Sequence, residues 1–306
     1  MAALRIIPLG GCPLANPMIR LRKRGVAASI FNELGFRNSP LSLSAGGALQ
    51  LVRMCRGELG IPETVRDICY KLPPARMPPG AVGVLSTADL VLIEMSTPIE
   101  ICYRNYIFNQ NRLREYLARE FREMGETAVK TAMKWDSALR KGDNGRARFL
   151  LDDLNEILAR EKHGPLLEDI INDTTSRVLG GHDIREVINE IRKLLPLPFG
   201  IVLHNFHYMP DGRPVVWPQG FKDDTISAAE RLGIATYDPA PLVQEAGTAV
   251  ALADDLRHYS PFLYEKLADE LLSFVCRILG RNPGGDHPTG TTSQTQDLEP
   301  IAEAME

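Results

Sequence analysis

Residues 89–95 read DLVLIEM, a run whose centre is apolar without interruption. A strand with one face in water alternates apolar and polar side chains, so a short unbroken run belongs to a strand buried on both faces. Residues 199–203 (FGIVL) repeat the pattern, and residues 4–9, 26–31 and 234–237 are further strand candidates. Between them lie helical patterns. Asn16-Pro17 reads as an N-cap with proline at the first helical position, opening a helix to about Arg24. Residues 48–54, 222–232 and 261–279 also have apolar faces at helical spacing. Strands alternating with helices predict an α/β fold, a parallel sheet flanked by helices on both faces. Ligands of such sheets sit at the carboxyl ends of the strands.

The 306 residues suffice to bury a large core without staples. Five cysteines, with no paired C-x-x-C spacing, exclude a disulfide scaffold and a cysteine-rich zinc module, and reduced thiols point to the cytoplasm. A net charge of −4 gives no pull toward nucleic acid. No stretch approaches the ~18 apolar residues of a membrane span. Leu9-Gly10-Gly11-Cys12 looks loosely like a lipoprotein cleavage box, but Arg5 and Pro8 interrupt the apolar segment a secretory signal needs.

Residues 104–195 differ in character, with 17 basic and 16 acidic side chains. Balanced charge on helical patterns is what solvated amphipathic helices show. The expected organisation is therefore a sheet domain from 1–103 and 196–280, a helical insertion or cap at 104–195, and a disordered tail at 281–306 rich in Gly, Pro, Thr, Ser and Gln.

The strand ends carry the candidate chemistry. Cys12 follows the first strand and two glycines and precedes a helix; backbone N–H groups and the positive helix end favour thiolate there. A buried packing cysteine is the alternative. Near the C-terminus, Asp255-Leu256-Arg257-His258 places an acid three residues before a histidine, a spacing that can orient an imidazole as a base. A surface acid beside a capping histidine would look the same. His204-Asn205-Phe206-His207 ends the fourth strand; without a third ligand of suitable spacing, substrate contact or a structural role is favoured over zinc. Arg20, Arg22, Lys23 and Arg24 form a cationic cluster that is either a solvated face or a phosphate dock.

A nucleophile after the first strand and a D-x-x-H before the last helix resembles the SGNH/GDSL hydrolase superfamily. The segment 255–275, DLRHYSPFLYEKLADELLSFV, looks like its closing block. The start is similar to its cysteine-bearing relatives, the GSCFA-type and the Gly-Asn-Cys capsule-biosynthesis proteins. The resemblance covers about 1–60, 85–100 and 199–279. It implies a flavodoxin-like three-layer fold in which Cys12 is the nucleophile, His258 the base and Asp255 its orienting acid. Gly11, Gly46 and Gly47 fall where oxyanion or substrate contacts are made. The superfamily's third block supplies an Asn; this chain has Glu94-Met95-Ser96-Thr97-Pro98, so Ser96 or a displaced Asn205 would take that role.

The expectation is an esterase or acyltransferase forming an acyl-enzyme on Cys12. Its substrate would be a small-molecule or glycan ester; no bound cofactor or metal is expected, and a coenzyme A thioester is a candidate donor. The competing expectation is a non-catalytic binding or scaffold protein that meets a protein partner through 104–195.

Overall fold

The structure is a computed structural model that describes residues 3–29, 44–70, 85–204, 220–253 and 259–282, with Cys12 and Ser29 described by their backbone alone. Five parallel strands form the main sheet: β1 (Leu4–Leu9), β2 (Ala27–Ser29), β3 (Leu90–Met95), β7 (Phe199–Leu203) and β8 (Thr236–Tyr237). Their spatial order is β2-β1-β3-β7-β8. In order of appearance this is 2-1-3-4-5, the flavodoxin-like doubly wound arrangement, whose ligand crevice opens between the first and third strands.

Strand parity explains the unbroken apolar runs. Ile7, Leu9, Val91, Ile93, Ile201 and Leu203 enter one core layer, while Leu4, Ile6, Leu90, Leu92 and Val202 enter the layer on the opposite face. Each fully buried Leu or Ile stabilises the fold by about 1.5–3 kcal/mol. The second face is covered by α1 (Cys12–Lys23) and α12 (Pro261–Ile278). Arg24, just past α1, pairs with Glu265 and Asp269 of α12 at 2.5 Å each, and Arg20 pairs with Glu265 at 2.8 Å. Two cations of the cluster thus join helices, while Arg22 and Lys23 are exposed.

The first face is covered by α2 (Ala45–Cys55), α8 (Gly181–Leu194) and α9 (Phe221–Arg231), with α3 (Glu63–Cys69) alongside. The same core layer runs on through α4 (Gln110–Glu120), α5 (Glu126–Leu139), α6 (Asn144–Arg160) and α7 (Pro165–Asp173), where Leu113, Trp135, Leu154 and Ile170 are buried. Short helices α10 (Ala240–Ala246) and α11 (Thr248–Ala251) precede α12.

Two local expectations change. The first helix begins at Cys12, not at Pro17, because Pro13 sits in its opening turn, where a missing N–H costs nothing; Pro17 lies inside the helix. Residues 104–195 are not helices alone. β5 (Tyr106–Phe108) and β6 (Thr174–Val178) flank β4 (Ile99–Tyr103) in an antiparallel sheet of order β5-β4-β6. Beyond Asn282 the tail lies outside the described residues. Among the described residues no helix is long and apolar enough to cross a membrane.

Candidate active site

At the crevice, β1 ends at Leu9, and Gly11 is the N-cap of α1, with extended backbone. Cys12 is therefore the first residue of a twelve-residue helix, where peptide dipoles favour a negative charge. The neighbouring strand β3 contributes Glu94, which is fully buried and shares the sheet face of Leu90 and Leu92. A buried carboxylate is stable only when its lone pairs are met. Glu94 Oε2 accepts the Gly11 N–H at 2.7 Å, and Oε1 lies 3.2 Å from His204 Nδ1, just beyond β7. Gly10 permits this approach, since a Cβ there would sit 2.5 Å from Glu94 Cβ. Three adjacent strand ends thus converge on one carboxylate.

Ser96 follows β3 and is half-buried. Ser44 caps α2 by accepting the Gly47 N–H at 3.1 Å, while the Gly46 N–H donates to Glu100 Oε1 at 2.7 Å. Both glycine amides therefore have acceptors within the protein, and an oxyanion drawing on Gly46 would have to displace the Glu100 carboxylate. A small open cleft lies beside this helix start, lined by Ser44, Gly47, Thr97, Ile99, Phe108 and Asn109.

Asn205, His207, Asp255 and His258 lie outside the described residues. The residues flanking the D-x-x-H segment are informative. Leu252 and Tyr259 form an isolated antiparallel bridge, and Ser260 donates its N–H to Ala251 at 2.8 Å and its hydroxyl to Val250 at 2.6 Å. Tyr259 is 2% exposed and lines a cavity with Pro13, next in sequence to Cys12. Burial, and then the charge of Glu94, pushes its phenol well above its ordinary range. Its hydroxyl is buried with no hydrogen-bond partner among the described residues.

The other four cysteines are of a different kind. Burial pushes the thiols of Cys55 and Cys69 up to about 12, and it also raises Cys102 and Cys276. None of these four is in a disulfide. No group of three or more His, Cys, Asp or Glu among the described residues could hold a metal ion.

Glu94 did not figure among the expected site residues. Its signal was a carboxylate inside an otherwise apolar strand, which demands partners that only the fold supplies.

Comparison with known proteins matches residues 4–274 to the family described as the TviD N-terminal domain. No curated protein and no solved structure matches the chain.

Proposed function

The chain belongs to the TviD N-terminal domain family, and from that membership we propose that it serves capsular polysaccharide biosynthesis as an acyl-transferring or ester-cleaving enzyme that uses Cys12. The observation that carries the chemistry is a cysteine opening α1 at the switch point of a 2-1-3-4-5 sheet. Backbone amides and the helix end favour its thiolate form. Tyr259, adjacent in sequence to His258 and sharing a cavity with Pro13, supports bringing the D-x-x-H segment to the same crevice.

In this reading Cys12 attacks an acyl carbonyl, His258 takes the thiol proton and passes it to the leaving group, and Asp255 orients His258. The resulting thioester is relieved by water or by a sugar hydroxyl. A coenzyme A thioester is a suitable donor class. Ser96, Asn205 and His207 are proposed substrate contacts at the same strand ends, and the reaction is assigned to the cytoplasm.

Iodoacetamide labelling read by peptide mass mapping tests this. Cys12 is expected to be alkylated near neutral pH well before Cys55, Cys69, Cys102 and Cys276, and His258→Ala to slow it. Equal labelling of all five would remove the nucleophile.

The occupied Gly46 amide favours a second reading, a fold retained for binding without catalysis, with 104–195 as the surface for a protein partner. Selective labelling of Cys12 combined with no turnover of any acyl ester or thioester would support it.

A further inference from the structure

Nothing in that mechanism uses Glu94, yet its side chain joins the three central strand ends. Its burial costs the hydration of a carboxylate, which the partners at its two oxygens must offset. Its two oxygens have separate tasks. Oε2 holds Gly11, one residue before Cys12, and Oε1 meets the imidazole of His204, whose side chain is 18% exposed. A carboxylate can only accept, so Nδ1 must carry a proton whenever this contact is made. In the neutral ring, Nε2 is then the basic nitrogen.

We propose that Glu94 is the positioning residue of the acceptor half-reaction: it holds His204 in the Nδ1–H tautomer, so that Nε2 serves as base for the hydroxyl that receives the acyl group. The inference rests on the acyl-enzyme reading. As the acceptor oxygen bonds to the acyl carbon, its proton passes to Nε2. The carbon–sulfur bond then breaks, and the imidazolium returns the proton to the released Cys12 thiolate. His258 thereby serves acylation, and His204 serves transfer.

Glu94→Gln isolates this role. The amide oxygen can still accept from Gly11, but the amide NH2 must face Nδ1 as a donor, which moves the ring proton to Nε2. The measurement is 15N NMR of imidazole-labelled protein, with His204→Gln assigning the signal. Wild type should show a pyrrole-type Nδ1 and a pyridine-type Nε2, and Glu94→Gln the reverse. In parallel, protein acylated with p-nitrophenyl acetate is given methyl glucoside as acceptor. Glu94→Gln and His204→Gln should each slow transfer roughly a hundredfold, with the rate read per mole of acyl-enzyme formed so that any change in Cys12 reactivity does not enter. An unaltered tautomer in Glu94→Gln, or unaltered transfer in His204→Gln, overturns the proposal. Should Glu94→Gln fail to fold, His204→Gln decides alone, because it leaves the Gly11 contact in place. If wild type is not acylated on Cys12, the cysteine reading falls and the transfer role with it, while the NMR result still decides the tautomer.

Discussion

Two buried glutamates six residues apart solve the same problem in different ways. Glu94, on β3, accepts the N–H of Gly11 at the start of α1; Glu100, on β4, accepts the N–H of Gly46 at the start of α2, and both distances are 2.7 Å. Each uses its second oxygen for a side chain from a distant part of the chain. For Glu100 that is the Arg177 guanidinium at 2.7 Å, a permanent charge. For Glu94 it is the His204 imidazole, whose proton can move. The Arg177 pair joins β4 to β6 within the small antiparallel sheet, which the Gly46 contact ties to α2, whereas the His204 pair lies at the crevice and can take part in chemistry. An identical backbone device is structural or functional according to whether its partner can exchange a proton.

That contrast can be broken most severely at the glycines. Gly10→Ala sets a Cβ 2.5 Å from Glu94 Cβ, an atom fixed on a central strand, and should cost about 3 kcal/mol. Gly46→Ala presses instead on the ends of two side chains, Glu100 Oε1 and Ile107 Cδ1, rather than on a strand-fixed Cβ, so its loss should be smaller even though it disturbs a buried carboxylate. Urea midpoints of the two variants decide; a Gly46→Ala penalty equal to or above that of Gly10→Ala would show both carboxylates to be equally fixed.

Glu100→Ala comes next. It strands the buried Gly46 N–H at about 1–3 kcal/mol, and should lower the urea midpoint while leaving the selectivity of Cys12 labelling intact. Loss of that selectivity would mean that the two glutamates serve one site.

The thiols extend the same division to pH. Cys55, on the Glu100 side of the sheet at the end of α2, stays protonated in the folded chain to about 12 against an ordinary 9.0. Between those values the native state binds more protons than the unfolded one, so stability present below pH 9 is lost as pH rises toward 12. At pH 10 this thiol accounts for about 1 kcal/mol of the loss. Cys55→Ala should therefore flatten the decline in urea midpoint between pH 7 and pH 10. An unchanged slope would place the alkaline sensitivity elsewhere.

Arg177→Ala should have the smallest effect, about 1 kcal/mol or less, since 54% of that side chain is exposed and its charge is screened. A larger loss would make the guanidinium, not the glycine amide, the principal support of Glu100.

The sequence disclosed the layers better than the site. The apolar runs at β3 and β7 needed no context, because burial on both faces leaves a one-dimensional trace. The start of α1 was misjudged because Asn16-Pro17 has the local form of a helix opening, while Pro13 has the same form four residues earlier and the packed helix follows it. β4 escaped notice since its partner β6 lies 71 residues beyond it, within a highly charged stretch. The pairing of Glu94 with Gly11 and His204 spans 83 and 110 residues, a distance over which no periodicity speaks. Cys12 was legible as a strand-end thiol, and the four packing cysteines as apolar neighbours, because both follow from adjacent residues.

The ion pairs between Arg20, Arg24, Glu265 and Asp269 also order events during synthesis. They fasten the helix that begins at Cys12 to the helix that begins just after His258, across as many as 245 residues. A nascent chain emerges N-terminus first, so Cys12 leaves the ribosome long before α12 exists to cover that face. Until α12 docks, α1 has neither its ionic partners nor its apolar cover, and the crevice is incomplete. The fold is in this sense timed as well as packed: the strand ends of the crevice wait for α12.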